Sequence, residues 1–184
     1  FSPVRLYSLL SVRNLYSVYH LTFPGNYFYP GERHNFWELS YIIQGTVSIS
    51  SEENIYNCQA GDLTLQAPNQ FHRMWVDKDN ACETLTITFD GTGLEELLHS
   101  GKYILTEEEQ TAVFRIIDEI PSIFDGYNVT EFTHLVPTSA PNDIGYQIFK
   151  NYLELLCLSL IRRGNEAYGH PIKNAQTLCY AKAI

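Results

Sequence analysis

The sequence predicts a mainly β fold, a sandwich or a small barrel, that is followed by C-terminal helices. Over roughly the first 90 residues, short runs of alternating apolar and polar residues are separated by turn signals such as Pro24-Gly25 and Pro30-Gly31, a pattern typical of antiparallel strands. After Asp90-Gly91, apolar residues instead recur every three or four positions, which is typical of amphipathic helices.

Strands are expected wherever the alternation runs between two breakers. One turn is expected at Gly45 and another at Gly61-Asp62, because these residues favour reversal of the chain. The expected strands cover residues 16–23, 37–43, 46–50, 55–58, 62–66, 72–76 and 84–89.

Two main helices are expected after the strands. Thr106 and Glu109 form a capping-box pattern that begins a helix, and Pro121 ends it because proline cannot continue the hydrogen-bond ladder. Asp143 caps a longer helix over residues 144–163. Apolar residues lie on more than one side of this second helix, so one side is expected to pack on the barrel and another to meet a second copy of the chain.

Composition limits the classes of function. The 184-residue chain is 45% hydrophobic, which is enough for the core of one domain. It carries 12 basic and 21 acidic residues and no basic cluster beyond Arg162-Arg163, so we do not expect this chain alone to bind DNA.

Four widely spaced cysteines favour free thiols in a reducing cytoplasm. No signal peptide or membrane-length apolar run is present, so we expect a cytoplasmic protein without a membrane partner. The ends at Phe1 and Ile184 suggest a fragment of a longer protein.

Polar groups that can bind a ligand lie within the β-patterned runs. By alternation, Glu32, His34, Glu38 and Ser40 share one strand face, and Tyr41 lies on the other. The polar face either meets water or lines a lumen that holds a ligand, and the pattern alone leaves both open.

Two segments resemble the motifs of cupins. His34 and Glu38 ahead of Gly45 resemble the first motif, and the segment from Gly61 to His72 resembles the second. Two departures are visible: Glu32 stands where cupins have the first histidine, and the interval from proline to histidine is one residue shorter. The set that could bind a divalent metal is therefore Glu32, His34, Glu38 and His72, although the departures favour a domain without a cofactor.

A closer resemblance is to the N-terminal effector-binding and dimerisation domain of AraC/XylS-type transcriptional regulators. It rests on Arg33–Tyr41 and on Gly61-Asp62-Leu63, Pro68 and Phe71-His72. The resemblance implies a mainly β, cupin-like (jelly-roll) barrel over residues 1–92, a helical dimerisation segment over 93–164, and a linker with the start of a truncated helix-turn-helix domain over 165–184.

The resemblance also implies a function. A small polar, sugar-like effector would bind in the barrel, the chain would form a homodimer, and DNA would be bound only through the missing C-terminal domain. The chain would not be an enzyme. The alternatives are a metal-dependent cupin enzyme, such as a dioxygenase or an isomerase, and a dimerisation module without a ligand. The candidate ligand contacts are Tyr27, Tyr29, His34, Glu38, Ser40, Tyr41, His72 and Trp75. The candidate dimer contacts are Leu153, Leu156 and Leu160.

Overall fold

The computed structural model describes residues 2–97, 101–127, 136–140, 142–171 and 173–174. The fold is mainly β with two helices near its C-terminal end, as the sequence predicts. The strands are β1 Ser11–Phe23, β2 Phe28–Glu32, β3 Trp37–Ser51, β4 Asn54–Gln59, β5 Asp62–Gln66, β6 His72–Trp75, β7 Cys82–Thr92, β8 Gly101–Ile104, β9 Phe124–Asp125, β10 Val136–Pro137, β11 Tyr168–Gly169 and β12 Lys173–Asn174. The α-helices are α1 Glu107–Ile123 and α2 Asp143–Arg163, and short 3-10 helices cover Leu94–Glu96 and Gly164–Glu166.

The pairing of the strands gives a jelly-roll arrangement of two facing halves. One half has the order β1-β7-β3-β5-β8-β11, and the pairs of β2 with β6, β6 with β3 and β3 with β4 build the other. All of these pairs are antiparallel. Strand β3 belongs to both halves, because its first part pairs with β5 and β7 and its last part pairs with β4 and β6.

The turn predicted at Gly45 is wrong: this glycine lies inside β3. Its φ is +80°, and a Cβ there would lie 1.8 Å from the carbonyl oxygen of Ala81. The register against β7 shifts between Ile42 and Gln44, so the strand bends here as it passes from one half to the other. A glycine that bends a strand has the same sequence signature as one that reverses the chain. The reversal itself follows Ser51, where Glu52 has a φ of 50°.

The helix ends agree closely with the predicted signals. Thr106 and Glu109 form the expected capping box, with the Thr106 amide donating to Glu109 Oε2 over 2.8 Å. Helix α1 continues past Pro121 to Ile123, because a proline in the last turn removes only one hydrogen bond. The N-cap of α2 is Asn142 rather than Asp143, since Asn142 Oδ1 accepts from the Gly145 amide over 2.9 Å.

Apolar side chains form two cores on opposite faces of the sheet. One lies between the outer face of the sheet and the two helices, and the other lies inside the barrel. The outer core includes Leu39, Tyr41, Leu63, Leu65, Val113, Ile116, Leu153, Leu156 and Leu160. The inner core includes Leu21, Phe23, Ile42, Val47, Ile49, Tyr56 and Val76. Strand β5 contributes Leu63 and Leu65 to the outer core, while its other side faces inward.

The three leucines predicted at a dimer contact lie inside this chain. Leu153, Leu156 and Leu160 are 0%, 1% and 2% exposed, because they form the inner side of α2. On its outer side the exposed apolar residues are Ile144, Leu155 and Leu158. The helical spacing of leucines therefore identified a buried face, and any contact with a second copy falls on the opposite one.

Other expectations concern the ends of the segments. Strand β8 pairs with β5, and β11 pairs with β8, so the sheet continues past the predicted limit at residue 92. The helix predicted from Asn174 lies outside the described residues.

The three described cysteines, Cys58, Cys82 and Cys157, are buried free thiols. Neither α-helix of the described segments offers an apolar stretch that could span a bilayer.

Candidate functional site

A cavity of about 240 Å³ opens inside the barrel. It lies among strands β1, β2, β3, β5, β6 and β7, and its wall combines apolar, aromatic and polar side chains. The lining residues are Tyr19, Leu21, Phe23, Tyr27, Tyr29, Glu32, Glu38, Ser40, Ile49, Thr64, Gln66, His72, Arg73, Met74 and Thr86.

Alternation along β3 determines which side chains reach this cavity. Glu38 and Ser40 point into the barrel, whereas Leu39 and Tyr41 pack in the core beneath the helices. The polar face lines the lumen because the helices cover the apolar face and remove it from water. The structure thus decides between the two orientations that the sequence left open.

Glu38 is the centre of a charged cluster on this wall. His34 Nε2 lies 3.3 Å from Glu38 Oε2, and His72 Nε2 lies 3.5 Å from Glu38 Oε1. Glu32 is directly opposite His72 across β2 and β6, with 3.8 Å between Oε1 and Nε2. The ring of His34 stacks on Phe36 with 4.1 Å between centroids. His34 itself supports Glu38 from behind the cavity lining.

The electrostatics of the cluster favour charged partners. Burial alone would raise the pKa of Glu38, but the contacts from His34 and His72 outweigh it and hold this pKa at about 2. Burial alone would lower the pKa of His72, yet the contact with Glu38 outweighs it, and the pKa is raised above its ordinary value. Near neutral pH, Glu38 is therefore an anion, and the contact with it makes His72 hold its proton more strongly than an ordinary histidine does.

The same cluster has the donor set of a metal site. Ligand atoms of Glu32, His34, Glu38 and His72 all lie within 4.8 Å of one another. Two imidazoles with two carboxylates suit a divalent first-row ion, so the residues fit such an ion in number and type. The histidines already contact the Glu38 carboxylate, so these side chains also stabilise one another directly.

Hydroxyl groups and one amide line the cavity beside the cluster. Ser40 Oγ and Thr86 Oγ1 are 2.8 Å apart, and Thr64 Oγ1 is 3.5 Å from the Ser40 carbonyl oxygen. Gln66 lies across from Glu38 in the pairing of β3 with β5 and is 2% exposed. Sequence reasoning missed Thr64, Gln66 and Thr86. Alternation along Asp62-Leu-Thr-Leu-Gln66 was the signal that could have placed Thr64 and Gln66 on one face.

Aromatic rings form the remaining wall, as predicted for Tyr27 and Tyr29. Tyr27 packs against Phe23 with 4.5 Å between ring centroids. Burial and the neighbouring Glu32 carboxylate raise the pKa of Tyr29 to about 12, so its hydroxyl stays protonated and can donate a hydrogen bond.

Three predicted ligand contacts, His34, Tyr41 and Trp75, do not line this cavity. Tyr41 is 1% exposed on the helix side of β3, where its hydroxyl donates to Gln110 Oε1 over 3.3 Å. Trp75 is two residues beyond Arg73 on β6, and the Arg73 guanidinium lies 5.9 Å from the centroid of the indole. Both rings were included as polar aromatics near the motif, but Tyr41 has the wrong strand parity and Trp75 lies beyond the cavity wall. Five predicted contacts, Tyr27, Tyr29, Glu38, Ser40 and His72, do line it.

Comparisons with solved structures find cupins. A cupin protein from Bacteroides fragilis is 23% identical, with 40% of this chain and 64% of that chain covered and a TM-score of 0.38. An RmlC-like cupin from Methanocaldococcus jannaschii is 16% identical over 44% and 79%, with a TM-score of 0.38. A DMSP lyase from Ruegeria pomeroyi is 18% identical over 40% and 39%, with a TM-score of 0.37. The chain thus spans less than two thirds of the first of these proteins.

The match to a family is more extensive. No curated protein matches the chain. A family model described as the AraC-like ligand binding domain matches residues 16–128, which is more than half of the chain. The matched range contains every residue that lines the cavity, together with α1. This chain belongs to the AraC-like ligand binding domain family.

Proposed function

We propose that this domain senses a small polar, sugar-like effector in the barrel cavity and relays its presence to an attached DNA-binding domain. The observation that carries the proposal is the cavity itself, which lies inside a domain of a ligand-binding family. Its wall combines hydroxyl, amide and charged groups with several aromatic rings. Such mixed linings are typical of sites for small metabolites.

The size of the cavity supports a small effector. Its volume of about 240 Å³ falls below the roughly 300–1,000 Å³ of pockets for drug-sized ligands. The tyrosines offer flat apolar surfaces for a sugar ring and hydroxyl tips for its edge. Ser40, Thr64 and Thr86 add groups that both donate and accept hydrogen bonds.

The effector would act by favouring one arrangement of the domain over another. Strand β5 connects the two regions involved, because Thr64 and Gln66 face the cavity while Leu63 and Leu65 pack beneath the helices. A displacement of β5 on effector binding would therefore shift Leu63 and Leu65, and with them the packing of α1 and α2. DNA contact is assigned to the attached domain, since this chain has a net charge of −9. We therefore also propose a cytoplasmic location, where an attached DNA-binding domain would reach its target.

We also infer a homodimer, with its contact on the outer side of α2. Leu155 is 55% exposed and Leu158 is 36% exposed, and the two lie three residues apart on one face of the helix. Ile144 continues this apolar stripe toward the start of α2. Pairing of two such stripes would remove them from water.

A thermal-shift screen with sugars tests the sensing function. An effector at a hundred times its dissociation constant stabilises a protein by about 2.7 kcal/mol, so at least one sugar should raise the unfolding temperature. Thr86→Val should reduce this shift, because Thr86 lines the cavity. Thr88→Val is the matched control: Thr88 is also on β7 and also bonds a serine, Ser17, over 2.6 Å, but it does not line the cavity. Equal shifts in both variants would contradict binding at this site.

A metal-dependent cupin enzyme is the second candidate. The observation that favours it is the cluster of Glu32, His34, Glu38 and His72 at the edge of the cavity. A bound divalent ion would supply a Lewis acid beside the ligand, and these four side chains would hold it. Metal content is the measurement that separates the two candidates.

A further inference from the structure

Gln66 is a buried amide without a partner. It is 2% exposed, and among the described residues neither its Oε1 nor its Nε2 atom has a hydrogen-bond partner. Gln66 lines the barrel cavity beside His72, whose Nε2 atom lies 3.5 Å from Glu38 Oε1. Since buried polar groups in folded proteins are almost always paired, an unpaired amide on a cavity wall marks a place for a polar ligand.

The position of Gln66 explains why the protein itself leaves it unpaired. It ends β5 directly opposite Glu38, whose two carboxylate oxygens face His34 and His72. Thr64, on the same face of β5, is directed to the Ser40 carbonyl oxygen. The neighbours that could bond the amide are thus turned to other partners, and the cavity is the space that remains on that side.

We propose that the Gln66 amide recognises the effector through two neighbouring hydroxyl groups, one donating to Oε1 and the other accepting from Nε2. This inference rests on the proposed sensing function and specifies the effector as a molecule with adjacent hydroxyl groups. A hydroxyl group both donates and accepts, whereas a carboxylate only accepts and an ammonium group only donates. Either charged group would leave one Gln66 atom unpaired in a buried place, which is the kind of mismatch that gives strong discrimination.

The first arm of the test needs no ligand. Gln66→Met removes both unpaired atoms and keeps a side chain of similar length and volume, so the unfolding temperature of the variant should equal or exceed that of the wild type. Gln110→Met is the matched control. Gln110 accepts from Tyr41 and donates to the Leu105 carbonyl oxygen over 3.3 Å each, so its variant should unfold at a lower temperature. A fall for Gln66→Met as large as that for Gln110→Met would overturn the inference, because it would mean that Gln66 is a structural residue.

The second arm measures binding to the wild type, Gln66→Met and Thr88→Val by calorimetry. The probes are D-ribose and D-glucose as neutral sugars, D-gluconate and D-glucosamine as charged relatives, and nicotinamide as an amide without hydroxyl groups. We expect the wild type and Thr88→Val to prefer a neutral sugar. Gln66→Met should bind that sugar about tenfold to a hundredfold more weakly, as is typical for the loss of a paired buried hydrogen-bonding group.

The outcomes separate the two levels of proposal. Equal sugar affinity of Gln66→Met and the wild type overturns the role of Gln66 and leaves the sensing function standing. Binding of only nicotinamide overturns the adjacent hydroxyl groups, again with sensing intact. Binding of only gluconate or glucosamine, which keep adjacent hydroxyl groups, would show that the charged group is recognised and would overturn the preference for a neutral sugar. Binding of no probe to the wild type overturns the sugar-like effector itself, and the recognition of hydroxyl groups with it.

Discussion

Arg163, the last residue of α2, forms an ion pair with the buried carboxylate of Glu109 in the first turn of α1. Glu109 is 2% exposed, and Ser159 Oγ also donates to it over 2.7 Å. Arg163 donates in addition to the Ile104 carbonyl oxygen over 3.1 Å. One charged contact therefore joins the end of β8 to both helices.

Arg163→Met should lower the free energy of unfolding by about 3–5 kcal/mol, because it leaves the Glu109 carboxylate buried without its cation. Urea denaturation measures this change. Arg162→Met is the matched control: Arg162 is exposed on the same turn, and its loss should change the free energy by less than about 0.5 kcal/mol. Similar small changes in the free energy of unfolding for both variants would show that the buried Glu109 carboxylate does not need the charge of Arg163.

Glu38→Gln should remove a stabilisation that depends on pH. The pKa of Glu38 is lowered to about 2 from 4.5, so its contribution is complete above pH 4.5 and is lost as the pH falls toward 2. The pKa of His72 is raised, so its contribution is complete below its unfolded value of 6.5 and is lost as the pH rises through the folded value. The difference between wild type and Glu38→Gln should therefore be largest between pH 4.5 and 6.5, on the order of 3 kcal/mol.

Urea denaturation at about pH 3, 5.5 and 8.5 checks this profile. Glu95→Gln serves as control, because Glu95 is exposed. A difference for Glu38→Gln that does not vary with pH would mean that the histidine contacts do not govern the carboxylate.

Gly45→Ala should destabilise the barrel more than Gly126→Ala. Both glycines have a φ near +80°, but a Cβ at Gly45 would lie 1.8 Å from the Ala81 carbonyl oxygen, whereas one at Gly126 would meet none of the described residues within 4 Å. Gly126→Ala should cost about 1–2 kcal/mol for the left-handed backbone alone. Gly45→Ala should cost about 1–3 kcal/mol more for the clash. Equal midpoints of thermal unfolding would contradict the bend assigned to β3.

Removal of metal should leave the protein unchanged. Because Glu38 and the two histidines already face one another, we expect dialysed protein to contain far less than one equivalent of zinc, iron, manganese or nickel by mass spectrometry. A chelator should not shift its unfolding temperature. One equivalent of metal that is lost in His72→Ala and kept in His170→Ala, whose site is exposed, would instead support the metal-dependent enzyme.

Leu155→Glu should convert a dimer to a monomer in light scattering, because it places a charge in the proposed apolar contact on α2. Phe28→Glu is the control, since Phe28 is 56% exposed on β2, away from this helix. A wild-type chain that stays monomeric at high concentration would remove the contact altogether.

Local signals predicted most of the fold and part of the site. Alternation predicted the strands around the cavity, and the capping box of Thr106 and Glu109 predicted the start of α1. These features depend on neighbours in the sequence, so the sequence carries them directly. Glu38 and His72 were recognised in the same way, because their motifs are local.

Other features depend on contacts between distant residues. The need for glycine at position 45 comes from the close approach of Ala81, and the burial of Leu153 depends on the sheet beneath α2. Gln66 was missed because an uncharged amide carries no sequence signature of its own. Its significance comes from the lack of hydrogen-bond partners among the described residues around it. Tyr41 was included for its chemistry although strand parity placed it on the other face.

Strand β5 is buried along all five of its residues, and this makes it a shared wall between two interiors. A one-residue insertion there would exchange Thr64 and Gln66 with Leu63 and Leu65, so that cavity and helix core would be damaged together. The sites that recognise the effector and the sites that hold the helices therefore cannot change independently in this strand. Variation in effector preference should be easier to obtain on β2 and β6, where the cavity wall does not also support α1 and α2.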